Sequence, residues 1–207
     1  MKETTTQSAL LGMLSLRSWG SYELVKEMGR NLRYFWPRAE SRIYAELNRL
    51  KGEKLATSKE SSTGERSRQT WNISATGRRA LKAWLRGESG ETTLQCEDLL
   101  RIFLAQPDDM RTLAGSVRRI RAEAEELAAL ADRIADEYVT SGAPFQERVR
   151  VRALVFDFLS SWAHMRIEWA NRAQAYLAKL EDLDAKSGDR AAVEHIRQRH
   201  RATRSPK

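Results

Sequence analysis

A mainly α fold in two parts is what this 207-residue sequence predicts. The expected parts are an N-terminal winged helix-turn-helix (three to four helices plus a two-stranded wing) and a C-terminal domain of long helices forming a dimer. Three observations predict it. The first is a series of short amphipathic helices followed by a segment, 66–73, whose end alternates apolar and polar residues. The second is a pair of long segments, about 108–138 and 146–183, in which apolar residues recur every three or four positions. The third is charge. Residues 1–86 hold 17 Lys and Arg against 8 Asp and Glu, residues 87–185 hold 12 against 18, and residues 186–207 hold 7 against 2. A basic head is the footprint of a surface that meets phosphates, whereas the acidic middle would be repelled by them. We therefore divide the chain into a winged-helix domain (1–86), a helical dimerisation domain (87–185) and a basic tail (186–207).

Taken in order, Thr6 or Ser8 is expected to cap a first helix over 9–16, with Leu10, Leu11, Met13, Leu14 and Leu16 on its apolar side. Arg17 to Ser21 reads as a turn, with Ser21 capping a second helix from Tyr22 to Met28 or Arg30. The third helix, starting near Pro37 or Arg38, carries the functional reading. Proline suits a first turn because its missing N–H is an orphan there. Ile43, Leu47 and Leu50 form one stripe at i, i+4 and i+7. The other face holds Arg38, Ser41, Arg42, Ala45, Asn48 and Arg49: cations, hydrogen-bonding groups and one small residue. Such a helix can bury its stripe and present this face to a DNA major groove. A charged face alone is more often just a solvated one, so the next segment matters. Residues 55–60 and 66–73 read as two antiparallel strands around a Ser/Gly turn, with Trp71 and Ile73 inward. Arg66 and Arg68 near the tip suit a wing resting on a phosphate backbone. Ser74 to Gly77 opens a fourth helix, and the polar, glycine-bearing stretch 86–92 coincides with the charge switch.

Beyond it, 94–105 reads as a helix bearing Leu99, Leu100 and Phe103. The long helix that follows has a near-heptad stripe from Leu113 to Tyr138. The final helix carries Leu154, Phe158, Trp162, Met165, Trp169, Tyr176 and Leu180, and Val155, Phe156, Leu159 and Ile167 widen its stripe. One partner helix cannot cover so wide a surface, and a second copy of the chain would. The expected dimer contacts are Leu99, Phe103, Leu154, Phe158, Trp162, Met165, Trp169, Tyr176 and Leu180. The tail, with His195 to Arg201, reads either as a helix formed on DNA or as a solvated extension.

Several function classes drop out. No apolar run approaches the ~20 residues that span a bilayer, and the first residues do not form a signal peptide. The single cysteine, Cys96, offers no disulfide or metal pattern, and no cation adjoins it beside Glu97 and Asp98. Three histidines, no nucleophile elbow and no phosphate loop argue against an enzyme. Glu125-Glu126 and Asp108-Asp109 are adjacent pairs on different helix faces, not an acid/base dyad. The expectation is a cytoplasmic protein without metal, cofactor or catalytic residues. A helical adaptor whose basic head binds an acidic protein is the alternative.

These residues together resemble the PadR family of transcriptional regulators in its longer form with a helical dimerisation domain. The resemblance runs from about Ser8 to Asp184. It rests on Leu10-Leu11-Gly12-Met13-Leu14, Tyr22-Glu23-Leu24, Phe35-Trp36-Pro37, Ser41 to Leu50, the wing with Arg66 and Arg68, Ser74 to Arg79, and Arg166-Ile167-Glu168-Trp169-Ala170. The chain departs from the family's pattern at Ser21 and Lys54, where glycine is usual, and at Ala45, where proline is frequent. The resemblance implies a homodimeric, usually repressing regulator that binds an inverted-repeat operator and is released by a small molecule or other signal. By position it places Ser41, Arg42, Tyr44 and Asn48 at or near double-stranded DNA. Arg42 and Asn48 suit guanine and adenine edges, and Tyr44, Lys51, Arg66 and Arg68 suit phosphates. Trp36, Tyr138, Phe158, Trp162 and Trp169 are candidates to line a cavity for a small planar apolar effector, with Arg166 answering an anionic group. The commoner use of such aromatics is core packing, and Arg166 could equally pair with Glu168 or Asp157.

Overall fold

The computed structural model describes residues 4–63, 66–140, 142 and 145–204, with backbone alone at 31, 61–63, 66–68 and 202–204. The chain forms two compact units, one ending at Thr92 and the other starting at Thr93. The first contains α1 (Thr5–Leu16), β1 (Trp19–Gly20), α2 (Ser21–Leu32), α3 (Glu40–Gly52), β2 (Ala56–Thr63), β3 (Arg66–Ile73) and α4 (Ala75–Arg86).

Helix α1 starts earlier than its Ser/Thr content suggested. Thr4 and Gln7 form a reciprocal capping box: Thr4 Oγ1 accepts from Gln7 N at 3.2 Å, and Gln7 Oε1 accepts from Thr4 N at 2.9 Å. Thr6 and Ser8, the expected caps, are buried inside the helix instead. Helix α2 likewise begins at Ser21, with Gly20 as its N-cap.

The expected hairpin forms in full register, from Ala56 opposite Ile73 to Thr63 opposite Arg66. It gains a third, edge strand. The segment read as a turn contains β1, which pairs antiparallel with β3 and sets Trp19 opposite Trp71. Both indoles are buried with their N–H groups satisfied: Trp19 Nε1 donates to Met13 O and Trp71 Nε1 to Ser21 Oγ, each at 2.8 Å. Around them lie Leu10, Leu11, Leu14, Leu24, Val25, Met28, Ile43, Leu47, Leu50, Leu55 and Ile73, all buried. The α3 stripe is thus the floor of this core.

Two backbone devices lock α3 to the hairpin and to α4. After α3 the chain reverses through Lys54, a non-glycine residue at φ 60°. Lys54 N donates to Lys51 O at 3.0 Å and Leu55 N to Leu50 O at 2.8 Å, the paired bonds of a Schellman motif. Its usual apolar contact is supplied by Leu50 and Leu55, both buried. Ser74 then caps α4, accepting from Gly77 N at 2.9 Å, while its own N and Oγ both donate to Leu55 O, at 3.0 and 2.9 Å. Gly77 lies so close to that turn that a Cβ there would sit 2.1 Å from Leu55 O.

The second unit contains α5 (Glu97–Leu104), α6 (Met110–Val139), a 3₁₀ turn at Gln146–Arg148, α7 (Val149–Leu180) and α8 (Ala185–Arg204). Helices α6 and α7 pack together along their length. The buried residues of α6 are Ser116, Val117, Ile120, Ala124, Leu127 and Ala131, and those of α7 are Ala163 and Ala170. Ala124, Ala163 and Ala170 have no exposed surface at all, so small side chains close this seam. Polar links flank it: Arg152 Nη1 donates to Tyr138 Oη at 2.6 Å, Arg121 Nη1 to Gln174 Oε1 at 3.3 Å and Arg166 Nη2 to Glu123 Oε2 at 2.7 Å. Helix α5 is tied to α6 by Asp98, which accepts from Arg119 Nε at 2.9 Å. The basic tail is a 20-residue helix, capped by Asp184 and stacked on α7 through His195 and Tyr176, with ring centroids 4.5 Å apart.

Candidate nucleic-acid interface

Helix α3 begins at Glu40, with Ala39 extended at φ −63° and ψ 142° as its N-cap. That is later than Pro37 or Arg38, and it changes the role of Arg38, which precedes the helix and does not share its outer face. The Arg38 guanidinium lies 4.2 Å from the centre of the Trp36 ring, and its Nε donates to Thr6 Oγ1 at 3.3 Å. Arg38 therefore pins the α2–α3 connection to the start of α1. The side chain remains exposed beside the α3 N-terminus.

The rest of the face is arranged as its periodicity demands. Ile43, Leu47 and Leu50 are buried, while Ser41, Arg42, Tyr44, Ala45, Asn48 and Lys51 are exposed. Tyr44 is 37% exposed, so part of its ring is covered while the side chain stays on the surface. Arg49 sits at the margin, half-buried, with its Nε 3.0 Å from Glu53 Oε1. Arg66 and Arg68 lie in β3, opposite Thr63 and Ser61; their side chains fall outside the described residues.

One residue of this helix escaped sequence reasoning. Glu46 is only 3% exposed. Its Oε1 lies 3.2 Å from Arg42 Nη2, and its Oε2, which accepts no hydrogen bond, lies 4.0 Å from Arg49 Nη1. Glu53 continues the series by accepting from Gln7 Nε2 at 3.2 Å. A buried carboxylate thus orients two cations of the outer face. Its i, i+4 spacing to Arg42 was the available signal.

In the second unit the expected contact residues divide. Leu99, Phe103, Leu154, Phe158 and Met165 are exposed, by 39, 83, 73, 64 and 44%. Trp162, Trp169, Tyr176 and Leu180 are half-buried. Val151, Leu154, Val155 and Phe158 run in steps of three, one and three along α7 and leave a broad apolar strip open to solvent. Of the effector candidates, the structure brings together Trp162 and Arg166, whose guanidinium lies 5.9 Å from the ring centre. Arg166 pairs with Glu123 of α6, not with Glu168 or Asp157 on its own helix; Glu168 faces Arg172 at 3.7 Å. Tyr138 is held by Arg152, Phe158 points outward, and Trp36 belongs to the first unit.

Helix α3, the hairpin behind it and the long-helix unit define a winged-helix, DNA-binding type of protein with a separate helical C-terminal unit. A family model for the PadR-like family of transcriptional regulators matches residues 10–83, and one for the virulence activator alpha C-terminal region matches residues 97–178. Solved structures agree on the fold. Bacillus subtilis PadR in complex with operator DNA superposes with a TM-score of 0.70 at 18% identity, covering 84% of this chain and 99% of that one. The Vibrio cholerae virulence activator AphA gives 0.64 at 21%, covering 85% and 99%. Bacillus subtilis PadR in complex with p-coumaric acid gives 0.63 at 17%, covering 86% and 99%. Among curated proteins none matches the sequence significantly. The chain belongs to the PadR-like family of transcriptional regulators. Proteins of this family are non-enzymatic DNA-binding regulators, and the chain is not an enzyme. Among the described residues no helix is long and apolar enough to cross a membrane.

Proposed function

We propose that the protein is a cytoplasmic homodimeric repressor that binds an inverted-repeat operator through α3 and the wing and is released by a small-molecule or stress signal. The observation that carries this reading is the sorting of α3: a buried aliphatic stripe under an exposed row of Ser41, Arg42, Tyr44, Ala45 and Asn48. Arg42 and Asn48 read base edges, and Arg38, Tyr44, Arg49, Lys51, Arg66 and Arg68 meet backbone phosphates. Two copies pair through the exposed strip of α7 with contacts from Leu99 and Phe103 of α5, and each copy places its α3 in the major groove of one half-site, about one helical turn of DNA from the other. The structure of Bacillus subtilis PadR with p-coumaric acid supports an effector of planar aromatic type. In this chain Trp162, Trp169 and Arg166 are the candidate lining. An anionic effector would compete with Glu123 for Arg166.

The test is binding to a duplex from upstream of the protein's own gene, with light scattering to count subunits. A dimer that shifts this duplex, weakened by Arg42→Ala or Asn48→Ala by about 1–3 kcal/mol each, supports the reading. Wild-type levels of binding in both variants would refute it. A head that binds acidic proteins and ignores DNA would favour an adaptor.

A further inference from the structure

Helix α8 is not accounted for by the family: the C-terminal family model stops at residue 178, and α8 spans Ala185–Arg204. We infer that α8 is a second, sequence-independent DNA contact, a cationic ridge that lies along the phosphate backbone of duplex DNA. The inference rests on the DNA-binding reading above and extends it to a part of the chain that reading does not use.

The helix is two-sided. His195 stacks on Tyr176 of α7, and Ser187, Gly188, Ala191 and Ala192 are half-buried on the same side. Seated this way, α8 turns Lys186, Arg190, Arg197 and Arg201 outward, and all four are exposed. Their spacing of i, i+4, i+11 and i+15 confines them to a sector of about 60° and a length of roughly 22 Å. Only Asp189 and Glu194 oppose them on α8, and Glu194 already sits 3.5 Å from Arg197. The ridge stands on an otherwise acidic segment, since residues 87–185 hold 12 Lys and Arg against 18 Asp and Glu. A row of cations there is a local feature, not an overflow of the chain's basic charge.

The chemistry of the ridge selects its partner. An interfacial membrane helix needs a broad apolar face beside its cations, and the exposed large apolar residues of α8 are Val193 and Ile196 alone. Single-stranded nucleic acid is held by stacking on aromatic rings, and α8 contains no Phe, Tyr or Trp. Guanidinium and ammonium groups in a straight row, without stacking or insertion, suit the regularly spaced phosphates of a duplex.

The experiment uses the full chain and a random-sequence duplex labelled for fluorescence anisotropy, titrated from about 50 to 200 mM salt. Three proteins are compared: wild type, Lys186→Ala/Arg190→Ala/Arg197→Ala/Arg201→Ala, and Arg42→Ala/Asn48→Ala. Alanine is the strongest helix former, so the fourfold variant keeps α8 helical, which circular dichroism verifies. The expected result is that the fourfold variant loses random-duplex affinity, with a log–log salt slope shallower by about 0.9 for each phosphate contact removed. The α3 variant should instead lose its preference for operator over random duplex. An unchanged slope and affinity in the fourfold variant, with operator binding still lost in the α3 variant, overturns the role of α8 alone. A wild type that binds no duplex overturns both readings. Binding of wild type to phosphatidylserine vesicles that needs these four cations, beside DNA binding that does not, assigns the ridge to membranes and overturns the inference.

Discussion

Gly77 gives the sharpest stability prediction. Replacing it with alanine places a Cβ 2.1 Å from Leu55 O and 3.0 Å from both Ile73 Cγ1 and Leu11 Cδ2. The backbone contact cannot be relieved by a rotamer change, so α4 must retreat from the Lys54–Leu55 turn. Overpacking of this kind costs about 1–3 kcal/mol. The retreat also strains the two bonds from Ser74 to Leu55 O, each contributing about 1 kcal/mol. Against this stands a helix-propensity gain of about 1 kcal/mol for Gly→Ala. The net expectation is a loss of about 2–4 kcal/mol. Urea unfolding followed by the NMR signals of the hydrogen-bonded indole N–H groups of Trp19 and Trp71 reports this unit. Gly29→Ala is the control, because a Cβ there meets nothing within 4 Å; the same propensity term should stabilise it by about 0.5–1 kcal/mol. Gly77→Ala at wild-type stability, or Gly29→Ala and Gly77→Ala moving together, would refute the close-approach argument.

Four further outcomes are expected. Lys54→Gly, at φ 60°, should raise the urea midpoint, since a left-handed non-glycine residue costs about 1–2 kcal/mol. Glu46→Gln should change stability by less than about 1 kcal/mol, because Arg42 and Arg49 are partly solvated, yet tighten DNA binding at low salt while reducing selectivity as Arg42 loses its anchor. Leu154→Arg with Phe158→Arg should abolish the dimer by light scattering; unchanged mass would remove α7 from the proposed interface. The hydrogen bond from Arg119, the largest influence, holds the Asp98 carboxyl below its usual range. A depressed carboxylate stabilises the fold above its unfolded value near 3.9 and loses that contribution as pH falls through the lower folded value. Acidification below about pH 4 should therefore loosen α5 from α6 in the wild type, and Asp98→Asn should flatten that dependence in hydrogen exchange.

The helices and the hairpin were legible because burial follows period: Ile43, Leu47 and Leu50 at helical spacing, Trp71 and Ile73 at strand spacing. What period could not show was set by distant partners. Trp19 and Gly20 become a strand only because β3 lies beside them, and nothing local distinguishes them from a turn. Arg38 looked like part of α3, yet the Trp36 ring and Thr6 hold it before the helix. Glu46 belongs to neither the aliphatic stripe nor the outer row by period, and the flanking arginines let its carboxylate sit at the edge of the core. The Thr4–Gln7 capping box was visible in principle, hidden among three consecutive threonines. The final helix was the hardest to sort: large apolar residues cover most of its circumference, and only the structure shows that the seam to α6 runs through Ala163 and Ala170.

That alanine seam has a consequence for how the regulator would respond to its own abundance. The buried residues of α7 are Ala163 and Ala170, set against Val117, Ile120, Ala124 and Leu127 of α6, and Leu154, Phe158 and Met165 are left outside the protomer. Such a hairpin is half of a core awaiting its other half. If pairing completes it, folding of this unit and subunit association become one equilibrium, and apparent stability rises with protein concentration. Dilution would then remove operator binding and structural order together. The cell would read the amount of this protein as a threshold, not as a proportional dose.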